Sequence, residues 1–227
     1  MTRSLAIIPV REGSKRLAKK NLKILDKKPL FIHTLECAIK SKIFDEIHIS
    51  TESKKVVKIC KKFKYEPRFM RPAKLASDSS TLNQVCTYVI KNYEKMNVRF
   101  DNFCILWATS PLRLPSDLKK AYLMLNKGAQ AVVGVCEYDL PLYSAQNFLE
   151  NKRLKPIFPD QIFEQKKTAK IVCDNGSFCF VKTKAFKKYN TWLPPKTYGY
   201  EMPKIRSIDL DTEEDFNYLK YLYYKNK

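Results

Sequence analysis

Short apolar runs alternate with amphipathic segments through the first 138 residues, and this alternation restricts the fold more than any other feature. Ser4–Pro9, Glu46–Ser50, Phe103–Trp107 and Ala131–Tyr138 have the length and the β-branched or aromatic content of strands. Helical patterns lie between them. Pro29 opens one that runs to Ser41, with Leu30, Phe31, Thr34, Leu35, Ala38 and Ile39 on one face. Thr51 and Ser53 can cap a second over Lys54–Phe63, and two more cover Thr81–Lys95 and Asp117–Asn126. Arg68–Met70 is expected as a further short strand. Repetition of this kind builds an α/β fold with a doubly wound, mostly parallel, Rossmann-like sheet.

The pattern breaks at residue 139. Residues 139–171 carry Pro141, Pro156 and Pro159, many lysines and little helical period, and are expected to form an inserted hairpin or arm. Ser177–Lys182 returns to strand and Thr183–Tyr189 to helix. Residues 190–204 have the Pro- and Tyr-rich composition of a loop. Ile205–Ile208 is expected as a last strand, and Glu213–Tyr224 as a final helix with Phe216, Leu219, Leu222 and Tyr223 inward. A length of 227 residues fits a single domain, 1–227, with 139–171 inserted in it.

Composition removes several functions. The seven cysteines form no C-x-x-C pair and sit mostly in apolar segments, which suits buried thiols in a reducing compartment. The two histidines both fall inside expected elements, which disfavours imidazole catalysis or a His-rich metal site. No apolar run approaches the roughly 20 residues that span a bilayer, and the N-terminal apolar core is short for a signal peptide, so a cytoplasmic protein without a membrane partner is expected. The net charge of +20 raises the question of nucleic acid, but lysine is spread over nearly every element. The dense spot, Lys15–Lys28, has seven basic residues and Asp26 as its only acid, a footprint for a triphosphate rather than a duplex. No nucleic-acid motif is present. The five glycines fall in neither G-x-G-x-x-G nor a Walker A loop.

Five stretches could carry chemistry, and each falls at an expected loop end, where ligands of α/β sheets collect. Pro9–Asn21, P-V-R-E-G-S-K-R-L-A-K-K-N, follows the first strand; Arg11, Lys15 and Lys20 can neutralise phosphate charge, and Ser14 can donate a hydroxyl. Taken alone, a basic run of this kind is more often a solvated surface loop. Ser207–Asp215, S-I-D-L-D-T-E-E-D, places Asp209 and Asp211 one strand period apart, a carboxylate pair suited to Mg²⁺ beside phosphate oxygens. Its simpler role is a helix cap at Asp211 or Thr212. Ala108–Arg113, A-T-S-P-L-R, can hold substrate or simply enter a helix. Met70–Asp78 is another exit loop, with a cap at Ser79, Ser80 or Thr81, and Cys173–Ser177 has the composition of a turn.

Together, in this order and spacing, these motifs resemble the acylneuraminate cytidylyltransferases, the CMP-sialic acid synthetases and their relatives, from about Ala6 to Phe216. The resemblance implies an α/β nucleotidyltransferase, a homodimer with 139–171 as its dimerisation arm, and conversion of CTP and an acidic 2-keto sugar to CMP-sugar and pyrophosphate. It makes Arg11 and Lys20 the triphosphate clamp. Ser14, Lys15, Asn21, Arg71 and either Ser80 or Thr81 become nucleotide contacts. Asp209 and Asp211 become the ligands of a Mg²⁺ ion, and that ion also helps deprotonate the attacking hydroxyl. Trp107, Thr109, Ser110, Arg113, Tyr143 and Asn175 fall at the sugar site. Three positions depart from the sialic acid pattern: Trp107 replaces a glutamine, Tyr143 lies where a basic residue is usual, and Cys173 replaces an arginine. Trp107 is nearer in character to the pseudaminic acid branch. Without an arginine at 173, Arg113 or a lysine of the arm would have to meet the sugar carboxylate. The alternatives are a Kdo-type cytidylyltransferase and a non-catalytic nucleotide- or nucleic-acid-binding protein that keeps the fold.

Overall fold

The structure is a computed structural model that describes residues 2–14, 16–138, 142–150, 152–160 and 170–225. Its first strand, β1 (Ser4–Pro9), has alternate side chains going to opposite faces of the sheet, as a two-residue period requires. Ala6 and Ile8 join one buried cluster, and Leu5 and Ile7 join another. A small hairpin follows, β2 (Ile24–Leu25) and β3 (Lys28–Pro29). Asp26 and Lys27 between them both take positive φ, as a tight two-residue hairpin turn demands. Next come α1 (Leu30–Ser41), β4 (Glu46–Ser50), α2 (Lys54–Lys62), α3 (Leu82–Lys95), β5 (Asn102–Leu106), α4 (Pro115–Asn126) and β6 (Ala131–Glu137). Two short strands, β7 (Gln146–Phe148) and β8 (Leu154–Pro156), make a separate antiparallel hairpin. The chain ends with β9 (Val172–Lys182), α5 (Thr183–Tyr189), β10 (Thr197–Glu201) and α6 (Glu213–Lys225).

The central sheet has the order β10-β6-β9-β5-β1-β4. All of its neighbours run parallel except β9, which is antiparallel to β5 and β6. One face is packed by Phe31, Leu35 and Ala38 of α1, Val56 and Cys60 of α2, and Leu118, Ala121 and Leu125 of α4. The other is packed by Cys86, Val89 and Tyr93 of α3 and by Phe186 of α5. A third, smaller cluster lies apart from the sheet. It joins Leu17 of the loop after β1, Leu25, Leu30, Leu112, Leu210 and the inward face of α6, Phe216, Leu219 and Leu222. Satellite clusters of this kind anchor long loops.

Helix ends follow sequence chemistry. The Ser53 hydroxyl accepts the Val56 N–H, and Thr81 and Gln84 make a reciprocal capping box at α3. Ile39 of α1, expected inward, is instead exposed. Among the described residues, none of the helices is long and apolar enough to cross a membrane.

Four expected features differ. Arg68–Met70 is not a strand: the Tyr65 hydroxyl bonds to Ile47 O and Ile49 N–H, occupying the outer edge of β4, and Phe69 packs on His48, Tyr88 and Tyr93. Residues 197–201, assigned to loop, form edge strand β10 beside β6. Ile205–Ile208 is not a strand; Lys204–Arg206 makes one 3₁₀ turn and the chain then runs unpaired to α6. Cys173–Ser177 is not a free turn but a bulged part of β9.

Asp117 ties α4 to the chain beyond β10. It is 2% exposed, accepts the Leu114 N–H at 2.8 Å and the Tyr200 hydroxyl at 3.2 Å, and pairs with Arg206. Truncating one partner of a buried pair strands the other. Asp117→Ala is therefore expected to lower unfolding free energy by about 3 kcal/mol in denaturant titrations.

Candidate active site

The loop after β1 crosses the end of the sheet and is pinned from several sides. Leu17 is buried in the third cluster. The Asn21 amide donates to the Arg11 carbonyl at 2.9 Å and closes the loop on itself. Arg11 pairs with Asp78 at 2.9 Å, and Lys20 pairs with Asp211 at 2.9 Å. Arg16 reaches the other oxygen of Asp211, and Lys23 pairs with Glu213. A basic loop is thereby drawn onto an acidic segment nearly 200 residues later in the chain.

The acidic segment has its own supports. Thr212 caps α6, since its hydroxyl accepts the Asp215 N–H at 3.1 Å. The Asp215 carboxylate takes the Asp211 N–H at 3.0 Å and the Thr212 N–H at 2.8 Å. The Asp211 N–H bond, then the Thr212 bonds and the Lys20 charge, hold the Asp215 carboxyl below the usual range against a little desolvation. Leu210 is fully buried between exposed Asp209 and half-buried Asp211, so both carboxylates lie on the outer side. Asp209 sits near Asp174 of β9. Partial desolvation first, then the Asp209 charge, push the Asp174 carboxyl up against a Gly176 N–H bond, although much of the residue is open to solvent.

A cleft of about 410 Å³ opens between these two segments and the exit of β5. Arg11, Ser14, Lys20, Asn21, Arg71, Ser80, Trp107, Thr109 and Asp211 all line it, as does Arg16, which sequence reasoning did not single out. Arg71 is 5% exposed and gives both Nε and Nη2 to Glu52 Oε2, at 3.2 and 2.9 Å. Burial lowers the basicity of Arg71, and the Glu52 contact offsets part of that. Glu52 also accepts the Glu12 N–H at 2.9 Å, which fixes Arg71 relative to the basic loop. Trp107 meets Trp192 edge-on at 5.6 Å and forms an aromatic wall.

Other expected residues lie outside the cleft lining. Thr81 is the N-cap of α3. Ser110 is 4% exposed, with its hydroxyl unpartnered. Arg113 is 2% exposed and donates to the Ser177 carbonyl instead of reaching into the cleft. Asn175 is 4% exposed and bridges β9 to Ser207. Tyr143 packs on Phe158 at 5.8 Å, close to the β7–β8 hairpin. Asp209 is on the rim, and Lys15 lies outside the described residues. Neither histidine is near this chemistry: His33 bonds to the Leu25 carbonyl, and burial pushes His48 down to about 3.

The sequence matches the family described as Cytidylyltransferase over residues 5–227. The chain belongs to the cytidylyltransferase family. It is 28% identical to a pseudaminic acid cytidylyltransferase of Campylobacter jejuni, covering 99% of this chain and 97% of that protein. A CMP-N,N'-diacetyllegionaminic acid synthase of Legionella pneumophila is 29% identical over 94% of this chain and 93% of its own length. An N-acylneuraminate cytidylyltransferase of Streptococcus agalactiae is 29% identical over 93% of this chain but only 51% of its own length. The fold is similar to that of a CMP:2-keto-3-deoxy-manno-octonic acid synthetase complexed with CTP, with a TM-score of 0.73, 15% identity and full coverage of both chains. The cytidylyltransferase fold is thus a nucleotidyltransferase sheet, and the cleft lies at its loop edge.

Among the described residues there is no group of three or more His, Cys, Asp or Glu side chains placed to hold a metal. Asp209 and Asp211 supply hard oxygen donors only. That set suits Mg²⁺, which takes one or two carboxylates and completes its shell with water and phosphate oxygens, and does not suit a closed zinc site.

Proposed function

We propose that this cytidylyltransferase transfers CMP from CTP to an acidic 2-keto sugar of the sialic, pseudaminic or legionaminic type and releases pyrophosphate. One observation carries the reading: Arg11, Arg16 and Lys20 converge with Asp211 on a single cleft at the loop edge of the sheet. Relatives named for pseudaminic and legionaminic acids match over nearly the full chain and support the acceptor class.

The roles follow from charge and position. Arg11 and Lys20 hold the β- and γ-phosphates and stabilise the charge that grows on departing pyrophosphate. Asn21 and Arg71 orient the nucleotide, with Ser14 and Ser80 as hydroxyl donors. The acceptor's anomeric hydroxyl attacks the α-phosphate in line with the leaving group. Asp209 and Asp211 hold Mg²⁺, which when bound neutralises phosphate charge and makes the hydroxyl easier to deprotonate. Asp211 is paired with Arg16 and Lys20 in the unliganded chain, and the triphosphate competes for those cations. Trp107, backed by Trp192, and Thr109 form the acceptor wall. With Arg113 turned to Ser177, a lysine of segment 139–171 meets the acceptor carboxylate.

The protein acts as a homodimer in the cytoplasm in this reading. Exposed apolar side chains on and beside the β7–β8 hairpin, Phe148 at 73%, Leu154 at 59% and Ile157 at 47%, support an interface there. Light scattering is expected to give a mass near twice 26.6 kDa, and Phe148→Asp with Leu154→Asp should halve it; a monomeric parent removes this reading of the arm.

Pyrophosphate release from CTP and Mg²⁺ across a panel of sugar acids tests the activity. Release is expected with a nonulosonate. Release with Kdo alone reassigns the acceptor, and release with none leaves the enzyme reading unsupported. Lys20→Ala and Asp209→Asn should each cut turnover about 100-fold or more with an unchanged melting temperature.

A further inference from the structure

Asn175 enters from its sequence motif as a substrate contact, but its surroundings are those of a joint. Its side chain is 4% exposed and both ends of its amide are engaged inside the protein. Oδ1 accepts the Ser177 N–H at 3.1 Å, and Nδ2 donates to the Ser207 hydroxyl at 3.0 Å. Ser207 in turn donates to the Pro203 carbonyl at 3.1 Å. Each end of the amide therefore has a protein partner.

The backbone around Asn175 is shaped for this task. On β6, Val133 pairs with Cys179 and Val135 with Asp174, so residues 175–178 of β9 all stand against the single Gly134. Gly176 takes φ +59°, and the bulge it allows turns Asn175 inward across the sheet. Gly134 leaves the space: a Cβ there would lie 2.8 Å from Asn175 Oδ1. Ser177 at the far side of the bulge is gripped as well. Its carbonyl accepts the Trp107 N–H at 3.1 Å and the buried Arg113 guanidinium.

We propose that Asn175 is a positioning residue that holds the unpaired segment 207–211 in register against the bulge of β9, and so places Asp209 and Asp211 for a divalent cation. The segment has no ladder of its own, since residues 207–211 pair with no strand. At its C-terminal end it is fixed by Leu210 and by the Asp215 cap. At its N-terminal end the Asn175–Ser207 bond links it by side chains to β9, and the Cys136 thiol of β6 also contacts the Ser207 hydroxyl. The same bulge carries the Trp107 backbone, so the acceptor wall and the carboxylates are referenced to one point, Ser177. This inference rests on the proposed metal and nucleotide reading of the cleft.

Calorimetric CTP binding with and without Mg²⁺ tests it, together with direct Mn²⁺ binding followed by electron paramagnetic resonance. Asn175→Ala, Ser207→Ala and Gly134→Ala are the variants, the last displacing the amide from the opposite strand. Each is expected to reduce the gain in CTP affinity on adding metal by about tenfold and to weaken Mn²⁺ binding similarly, as loss of a ligand-orienting partner does. Metal-free CTP binding, which rests on Arg11 and Lys20, should stay within about twofold, a result that general loss of structure cannot give. Asn175→Ala with Ser207→Ala should be no worse than either alone. The proposal is overturned if the variants keep the parent's metal gain, or lose metal-free CTP binding to the same degree. If the parent itself shows no metal gain, the reading of the cleft fails rather than the role of Asn175 within it.

Discussion

The site depends on one shared piece of apolar packing. Leu17 in the basic loop and Leu210 between the two aspartates are buried in the same satellite cluster, with Leu25, Phe216 and Leu219. Each is surrounded in sequence by charge: Lys15, Arg16, Lys19 and Lys20 on one side, Asp209 and Asp211 on the other. Burying the leucines fixes the backbones, and Arg16 and Lys20 are left to face Asp211 in the cleft. Exposed ion pairs are worth little by themselves. The contact of exposed Arg16 with Asp211 is a consequence of this placement more than a cause of it, whereas the half-buried Lys20–Asp211 pair adds to it.

The same division of labour runs through the molecule. Apolar contacts set where a segment lies, and polar contacts set how it is turned. β1 places the loop at the sheet edge by burying Leu5 and Ile7 on one face and Ala6 and Ile8 on the other. Glu52 then orients Arg71, Asp215 orients the Asp211 backbone, and Asn175 orients Ser207. Each orienting group is a hydrogen-bonded polar residue beside, not inside, the reaction space. An open cleft with charge held at its walls is poised for a polyanion.

Much of the architecture could be read from the chain because its signals are local. The runs Ser4–Pro9 and Glu46–Ser50 and the helix Thr183–Tyr189 have the boundaries that apolar period and capping residues imply. What escaped depends on partners distant in sequence. The antiparallel direction of β9 is set by β5 and β6, and nothing in S-F-C-F-V-K encodes it. Thr197–Glu201 looks like loop because Pro194, Pro195 and Gly199 crowd it, yet an edge strand needs pairing on one side only. In Cys173–Ser177 the residues that favour a turn are the ones that favour a bulge, so composition could not tell which. The cleft lining was largely legible through motif order. Arg16 was missed because only its ion pair with Asp211, far along the chain, distinguishes it from other surface cations. Arg113 was placed at the substrate because strand-end polar residues often bind ligands, and Asn175 because its motif resembles the family's, whereas both turn inward to Ser177.

A crystal structure with CTP and Mn²⁺, the metal located by its anomalous signal, tests the central claim most directly. The account predicts the triphosphate between Arg11 and Lys20, the metal on Asp209 and Asp211, and Asp211 released from Arg16. A nucleotide bound away from Pro9–Asn21, or a metal touching neither aspartate, would contradict it.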